Sequence, residues 1–472
     1  MQRIAEEAAS FPLFPFTLSS YNTHNDHQEV LMYKNKFQAV GARVPKICMP
    51  KPGTNLKTWA VIACDQFTSE PEYWEETERL VGDAPSTLHL IFPEIYLEDS
   101  DADTRIENIH ETMRSYLASG ILEEQEEAIH LVQRAPEGAP PRWGILLCLD
   151  LEQYDYSPDA STLIRATEGT IVERIPPRLK VRRNAPVELP HILVLIDDPQ
   201  KLVIEPLVRH LDQCEEVYHV DLIQGGGTIR GYRVSSPLLL DRAANGLNLL
   251  AGEVSDSPEK QILFAVGDGN HSLATAKASW EEIKQQASDP DEIMDHPARW
   301  ALVEIENIHD PGLVFEPIHR VLFHADRSRI EAAFAQVCSM WEYISCGSIE
   351  EMNKLIHRGR EESHVVGTVF DGHFGCYIFH HPTHAIPVGT LQAALDAYLS
   401  KEGSASIDYI HGEESTKQLG TKSGNIGFFL PRIDKFTFFN TIEADGALPR
   451  KTFSMGEAVE KRYYFEARRI IP

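Results

Sequence analysis

The stretch from Gln261 to Gln286, QILFAVGDGNHSLATAKASWEEIKQQ, decides the fold class of this chain. Its first part, residues 262–266, is a short apolar run of the kind that forms a buried strand. Gly267-Asp268-Gly269 ends the run, since glycine tolerates positive φ and lets the backbone approach a ligand closely. Apolar residues then recur at helical spacing from Leu273 onward. The stretch predicts a strand, a tight turn and a helix, which makes the chain an α/β protein.

Four polar residues, Asp268, Asn270, His271 and Ser272, stand where the predicted strand meets the helix N-terminus. Unpaired backbone N–H groups and the positive end of the helix dipole favour an anion at such a point. We expect Asn270 or Ser272 to cap the helix. A plain strand–turn–helix with a capping Asn and a surface His explains the pattern equally well. The residues alone therefore leave both interpretations open.

The acidic composition limits the kinds of partner. There are 71 Asp and Glu residues against 44 Lys and Arg, a net charge of −27 over 472 residues. Because nonspecific affinity for nucleic acid comes from cationic surface, neither nucleic acid nor an anionic membrane is expected as a partner. Seven cysteines, without a CxxC pair, indicate a reducing compartment. With no signal sequence and no apolar run of the roughly 20 residues that span a bilayer, we expect a cytoplasmic protein.

The length allows two or three domain-sized units. Residues 1–41 are partly polar and aperiodic, and we expect them to form a loose N-terminal extension. We divide the rest into an N-terminal α/β lobe, residues 42–250, and a C-terminal α/β lobe, residues 251–472, which carries the GDGNHS turn. In the C-terminal lobe, Asp371-Gly372-His373 lies between two apolar runs and predicts a β-hairpin.

Residues 163–183, LIRATEGTIVERIPPRLKVRR, are the main basic segment of this acidic chain. A solvated charged face is the ordinary explanation of such a run. Guanidinium groups concentrated in this way would also attract phosphate oxygens. Because a chain of −27 needs local positive potential to hold an anion, we expect Arg178 or Arg182 to point into a cleft at the central turn.

Two other places put carboxylates at the end of a predicted strand. Asp65 follows the apolar run of residues 59–64 and could serve as a local cap, a general base or a metal ligand. Asp197-Asp198-Pro199 follows the apolar run of residues 191–196, where paired carboxylates could hold Mg²⁺. For the second place we favour a simple turn.

An ordered set of motifs resembles the bacterial family called domain of unknown function 1015. The family's DGHHR-like signature after a strand is matched by Asp268-Gly269-Asn270-His271-Ser272. The order of the matched elements is kept from about residue 42 to the end of the chain. The other elements are TEGT at 167–170 for an HE-T motif, PPRL at 176–179 for a DR-containing helix, DDP at 197–199, a PGL…P-HR element at 311–320 and PRKT at 449–452 for a PPKST-like segment.

Three positions depart from the family pattern. Asn270 replaces the first His of the signature, Ser272 replaces its Arg, and Thr167 replaces the His of the HE motif. The family is itself distantly similar to the nucleotide-binding fold of the ParB nucleotidase, sulfiredoxin and an archaeal free-serine kinase. Those proteins hold nucleotide phosphates on a GxHR-like turn, which residues 269–272 match without the Arg.

The resemblance implies a mixed α/β (α+β) protein with an elaborated ParB/sulfiredoxin-like nucleotide-binding core. It also implies a phosphotransferase that uses ATP or ADP with Mg²⁺ and acts on a small hydroxylated metabolite. The implied catalytic residues are Asp268, His271, Asp65 and Glu168, with Asp268 and Asp65 as metal ligands. The implied phosphate and nucleotide ligands are Gly267, Gly269, Asn270, Ser272, Arg178, Arg182, His319, Arg320 and Lys451.

Two other functions stay open on the sequence. One is a nucleotide-binding regulatory protein, and the other is a hydrolase or ligand-binding protein that uses the same anion pocket. In each case we expect His271 and Asp268 to matter more for ligand binding than for folding. His271→Ala and Asp268→Asn, as changes in a turn, are expected to alter stability by less than about 1 kcal/mol.

Overall fold

The computed structural model describes residues 23–157, 160–169, 175–254 and 262–472. No helix in these ranges is both long enough and apolar enough to cross a membrane. The helices are α1 Thr23–Ala39, α2 Leu56–Trp59, α3 Pro71–Val81, α4 Ala102–Ala118, α5 Ile175–Arg182, α6 Glu205–Val208, α7 Pro237–Val254, α8 Asn270–Gln286, α9 Arg327–Val337, α10 Ile349–Arg358, α11 Pro387–Leu399, α12 Glu413–Gly420 and α13 Phe438–Asp445.

The strands are short in the first part of the chain and longer towards its end. They are β1 Ala42–Arg43, β2 Cys48–Pro50, β3 Val61–Ile62, β4 Leu122–Glu124, β5 Ile129–Ala135, β6 Arg142–Asp150, β7 Tyr154–Asp155, β8 Ile164–Ala166, β9 Val187–Glu188, β10 Leu193–Ile196, β11 Glu215–Asp221, β12 Thr228–Val234, β13 Phe264–Asp268, β14 Trp300–Asn307, β15 Phe315–Phe323, β16 Trp341–Cys346, β17 Ser363–Phe370, β18 His373–His380, β19 Ser406–His411, β20 Ile426–Phe429, β21 Phe453–Met455, β22 Tyr463–Tyr464 and β23 Arg468–Arg469.

A large mixed sheet organises the first two thirds of the chain. Its order is β11-β12-β5-β6-β14-β10-β13-β8-β7, and β1 also pairs with β6. β10 lies at its centre, antiparallel to β13 and parallel to β14. Since β13 and β14 come after residue 250, the lobe boundary predicted at that residue falls inside this sheet. The mixed α/β class is as predicted.

A second sheet has the order β16-β18-β17-β20-β15-β19, with β21 paired to β15. The predicted hairpin is its β17–β18 unit, in which Asp371 and Gly372 have φ values of 46° and 77°. Positive φ at both central residues is the requirement of a type I′ hairpin turn, so the prediction is confirmed. Strand β21 also lies against β13 of the first sheet. The central turn is therefore next to the second sheet.

Part of the predicted N-terminal extension is helical. Tyr33 and Phe37 of α1 are buried in the same core as α7, against which α1 packs. Lys36 Nζ lies 2.6 Å from Asp241 Oδ1, and the Asn248 side chain donates to the Lys36 carbonyl at 2.8 Å. The expectation of a loose segment was wrong for residues 23–39, because two aromatic side chains anchor this stretch to a distant helix. Residues 1–22 lie outside the described ranges.

The central stretch folds as a strand, a turn and a helix, as predicted. Leu273, Ala276 and Trp280 of α8 are fully buried, which confirms the predicted apolar face. The predicted caps were wrong. The N-cap of α8 is Gly269, in the left-handed conformation with φ 78°, and Asn270 already lies inside the helix. Glycine adopts this left-handed conformation without strain, whereas an Asn or Ser cap is usually extended and accepts an N–H group with its side chain.

Candidate active site

The two glycines of the central turn are required by close packing. Gly267 is the extra residue of a bulge in β13 opposite β10, and a Cβ there would lie 2.4 Å from Met455 Sδ. A Cβ on Gly269 would lie 3.0 Å from the Ile192 Cα, in addition to the strain of its positive φ. The turn can therefore pass between β10 and β21 only with glycine at these positions.

The first turn of α8 presents backbone donors. Leu273 N–H bonds to the Gly269 carbonyl at 3.0 Å, but among the described residues nothing accepts from the N–H groups of Asn270 and Ser272. His271 lies between them, half-exposed, and its carbonyl accepts from the Thr275 hydroxyl at 2.7 Å. Unpaired N–H groups and the helix dipole make this point favourable for an anion.

Two lysines from the end of the chain add positive charge beside these donors. Lys461 Nζ lies 3.0 Å from Asp268 Oδ2, and the two side chains are 8% and 27% exposed. Burial disfavours the charged carboxylate, yet Lys461, Lys451 and His191 together hold the pKa of Asp268 below its ordinary value. Asp268 Oδ1 also accepts the Gly269 N–H at 2.9 Å. Asp268 is therefore a carboxylate held ionised at the edge of a cationic site.

Glu168 reaches the same place through backbone pairing. Residues 167–169 pair with Leu448, whose N–H donates to the Thr167 carbonyl at 2.7 Å. The next segment then donates Thr452 N–H to Glu168 Oε1 at 3.2 Å. Burial raises the pKa of Glu168, although the charge of Lys451 opposes this effect. Residues 167–169 of the TEGT motif and the 449–452 segment, far apart in the chain, therefore lie side by side near Asp268.

Residues 175–182 of the basic segment form α5, which packs on α8. Arg178 binds Glu94 with two hydrogen bonds of 2.6 and 2.5 Å, and Arg182 Nη2 lies 2.5 Å from Glu188 Oε2. Both arginines line one cavity together with Ser272. The positive charges of Arg178 and Arg182 are thus neutralised by the partly or fully buried carboxylates of Glu94 and Glu188. Residues 170–174, which belong to the same segment, lie outside the described ranges.

The cavity beside α8 has a volume of about 140 Å³ and a mostly apolar wall. At its polar end His191 Nε2 lies 2.6 Å from Ser272 Oγ, and His191 Nδ1 lies 2.7 Å from Tyr464 Oη. Tyr464 Oη in turn lies 3.1 Å from Cys64 Sγ. His191, Tyr464 and Lys461 had not been selected from the sequence, because none belongs to a recognisable motif and all three are distant in the sequence from the central turn.

Asp65 directly follows Cys64, which lines the cavity. Its side chain accepts from the Gln66 amide at 3.0 Å. Burial, then the charge of Asp65, raises the pKa of Glu94 despite the neighbouring Arg178. Asp65 is thus close to the Glu94–Arg178 pair, at the cavity rather than in the Lys461–Asp268 ion pair.

Metal binding by protein side chains alone finds no support within the described ranges, where no group of three or more His, Cys, Asp and Glu side chains could hold an ion. Asp198 instead closes a turn, as favoured from the sequence. Its Oδ2 accepts the N–H groups of Leu202 and Val203 at 2.7 and 2.9 Å. A metal held by Asp268 or Asp65 would need ligands from a bound molecule.

His319 and Arg320 are buried in β15, on the side of the second sheet. His319 Nδ1 accepts the Leu430 N–H at 3.2 Å, and burial lowers the pKa of His319 to about 4, so this ring is neutral near pH 7. Arg320 donates to Gln392 Oε1 at 3.3 Å and to the Arg450 carbonyl at 3.2 Å. The described bonds of Arg320 thus hold the 449–452 segment in place.

Several solved structures share part of the fold at very low identity. A free serine kinase in complex with AMP is 10% identical, with a TM-score of 0.37 over 69% of this chain and 91% of the kinase. A conserved hypothetical protein from Pyrococcus furiosus is 10% identical, with a TM-score of 0.33 over 68% and 90% of the two chains. SbnI with a C-terminal truncation, from Staphylococcus aureus, is 9% identical, with a TM-score of 0.33 over 66% and 81%. Likeness at this level says nothing about activity.

No curated protein matches this chain. A family model does, over residues 48–398, and this range includes the β13–α8 turn, the TEGT motif and the basic segment. All the motifs that suggested the resemblance lie within this range, except PRKT at 449–452. The chain belongs to the family described as protein of unknown function, DUF1015.

Proposed function

We propose that this protein binds the phosphates of ATP or ADP at the N-terminus of α8 and transfers a phosphoryl group to a small hydroxylated metabolite. One observation carries the proposal: the N–H groups of Asn270 and Ser272, which have no acceptor among the described residues, follow Asp268, and Asp268 is bound by Lys461 and interacts with Lys451 in a protein whose net charge is −27. In such a field, local positive charge is what a phosphate needs.

The carboxylates around this site suit phosphoryl transfer. Such catalysis consists mainly of positioning the phosphates and neutralising their charge. Asp268, which stays ionised, would share a Mg²⁺ ion with phosphate oxygens, as Mg²⁺ usually binds through one or two carboxylates. Glu168, whose pKa is raised by burial, is the better candidate to take the proton of an attacking hydroxyl.

The donors beside the turn take separate roles in this proposal. The N–H groups of Asn270 and Ser272 and the exposed Lys451 ammonium hold phosphate oxygens, and the His271 side chain lies on the same turn. Arg178 and Arg182 act at longer range, because each is bound to a carboxylate. They therefore shape the cavity beside Ser272 more than they neutralise phosphate.

Titration calorimetry with ATP and ADP, with and without Mg²⁺, tests the binding half of the proposal. These nucleotides are the first to try, because the proposed reaction uses ATP or ADP as the phosphoryl donor. We expect Lys451→Ala to weaken binding about tenfold or more, the loss of roughly 1.4 kcal/mol from one charge-assisted contact. Lys422→Ala is the matched control, an exposed lysine with no ion pair among the described residues.

The phosphotransfer half is tested by incubating the protein with MgATP or MgADP and a pool of hydroxylated metabolites. A phosphorylated metabolite that disappears in Lys451→Ala but persists in Lys422→Ala is the expected result. Failure of the wild-type protein to bind either nucleotide would overturn the proposal, as would equal affinity in wild type and Lys451→Ala. Nucleotide binding without any phosphorylated product would leave only the binding half standing.

A further inference from the structure

A chain of hydrogen-bonded side chains leads from the first turn of α8 into the apolar cavity. Ser272 Oγ lies 2.6 Å from His191 Nε2, and His191 Nδ1 lies 2.7 Å from Tyr464 Oη. The backbone of Ser272 belongs to the turn, whereas its hydroxyl lies in the cavity. A nucleophile beside a base, with a third group that orients the base, is the general arrangement of an activated hydroxyl.

The hydrogen bonds of Tyr464 determine which nitrogen of His191 carries the proton. Cys64 N–H donates to Tyr464 Oη at 3.2 Å, and Tyr464 O–H donates to Cys64 Sγ at 3.1 Å. Burial, then the charges of Cys64 and Asp65, raises the pKa of Tyr464 well above its ordinary value, so the phenol keeps its proton. With that proton directed at Cys64, Tyr464 Oη accepts from His191 Nδ1–H. His191 Nε2 is then free of a proton and accepts the Ser272 hydroxyl.

Asp268 lies near enough to His191 for the two side chains to interact electrostatically. The apolar wall of the cavity limits competition from water at the Ser272 hydroxyl.

We propose that Ser272 is a phosphorylation site of the protein's own nucleotide chemistry, with His191 as the general base. Ser272 Oγ attacks the terminal phosphorus of the bound nucleotide and forms a new O–P bond. The bond from that phosphorus to the bridging oxygen breaks, and the shortened nucleotide leaves with the electron pair. The Ser272 proton passes to His191 Nε2. Since the donor is the nucleotide of the proposed function, this step rests on that function.

The test is the intact mass of the full-length protein after incubation with MgATP and, separately, MgADP, followed by an acid quench and peptide mapping. Phosphoserine survives acid, whereas phosphohistidine at His191 or His271 does not. The matched control is Thr275→Val, because Thr275 is a buried hydroxyl residue on the same helix that lines the same cavity. The other variants are Ser272→Ala and His191→Gln.

We expect one phosphoryl group on Ser272 in wild type and in Thr275→Val. Ser272→Ala should carry none, and His191→Gln should acquire it about 100-fold more slowly, as is usual when a general base is lost. A wild-type protein that binds nucleotide by calorimetry but acquires no adduct would overturn this proposal and leave the proposed function intact. An adduct on another residue, or one that persists in Ser272→Ala, would also overturn it. A protein that binds no nucleotide contradicts both.

Discussion

Asp268→Asn removes the negative charge at the centre of the candidate site. The change leaves Lys461, only 8% exposed, without the carboxylate that now lies 3.0 Å from its ammonium group. The hydrogen bond from Gly269 N–H can be kept by the Asn carbonyl oxygen. The variant therefore removes the carboxylate charge, whose largest favourable interaction is the ion pair with Lys461.

The expected loss of stability is about 1–3 kcal/mol. Breaking a fully buried ion pair costs about 3–5 kcal/mol, because the remaining charge has no partner. Asp268 is 27% exposed, so water offsets part of that cost. The cost of leaving one buried polar group without a hydrogen-bond partner, about 1–3 kcal/mol, is therefore the better guide. This loss is larger than the change in stability of less than about 1 kcal/mol that was expected from the sequence, where Asp268 was treated as an ordinary turn residue.

The pH dependence of the loss identifies its cause. The folded-state pKa of Asp268 is below its ordinary value, so the charged group stabilises the fold above that ordinary pKa. This contribution disappears as the pH falls through the folded-state pKa. Urea unfolding of wild type and Asp268→Asn should thus differ at pH 7, and the difference should shrink as the pH falls below about 4, the ordinary pKa of Asp. Equal stability at pH 7, or a difference independent of pH, would refute the ion-pair explanation.

Two further substitutions test how the site is built. Gly267→Ala should destabilise the protein by about 1–3 kcal/mol, because the new Cβ would lie 2.4 Å from the buried Met455 sulfur, whereas Gly252→Ala in α7 meets nothing within 4 Å and should be tolerated. Urea unfolding measures both, and equal stability of the two variants would contradict the packing argument. Arg178→Ala should raise the pKa of Glu94 further, so its loss of stability should be largest at high pH and shrink as Glu94 becomes protonated. Thermal unfolding midpoints of wild type and Arg178→Ala measured over a series of pH values check this prediction. A loss of stability that grows towards low pH would contradict it.

Local patterns were sufficient to predict the central strand, turn and helix. The apolar spacing that includes Leu273 and Trp280 correctly predicted which face of α8 is buried. The Asp371-Gly372 turn could also be predicted from the sequence, because its two positive φ values depend only on the residues of the turn itself. In each case the physical cause lies within a few residues of the signal.

The remaining parts of the site depend on contacts between distant segments. Lys461 and Tyr464 reach the turn from the end of the chain, and His191 from the β9–β10 connection, so no spacing in the sequence links them. The prediction that Asn270 caps α8 was wrong for a related reason. Asn270 Oδ1 accepts the Thr167 N–H at 3.1 Å, a contact across 103 residues that draws its side chain away from capping.

The most direct test of the central claim is a crystal structure of the protein with ADP and Mg²⁺. We predict that a phosphate group lies within hydrogen-bond distance of the N–H groups of Asn270 and Ser272 and beside the Lys451 ammonium, with Asp268 on its Mg²⁺ side. A nucleotide bound elsewhere, with no phosphate at the start of α8, would contradict the claim that the α8 N-terminus and its two lysines form the phosphate site.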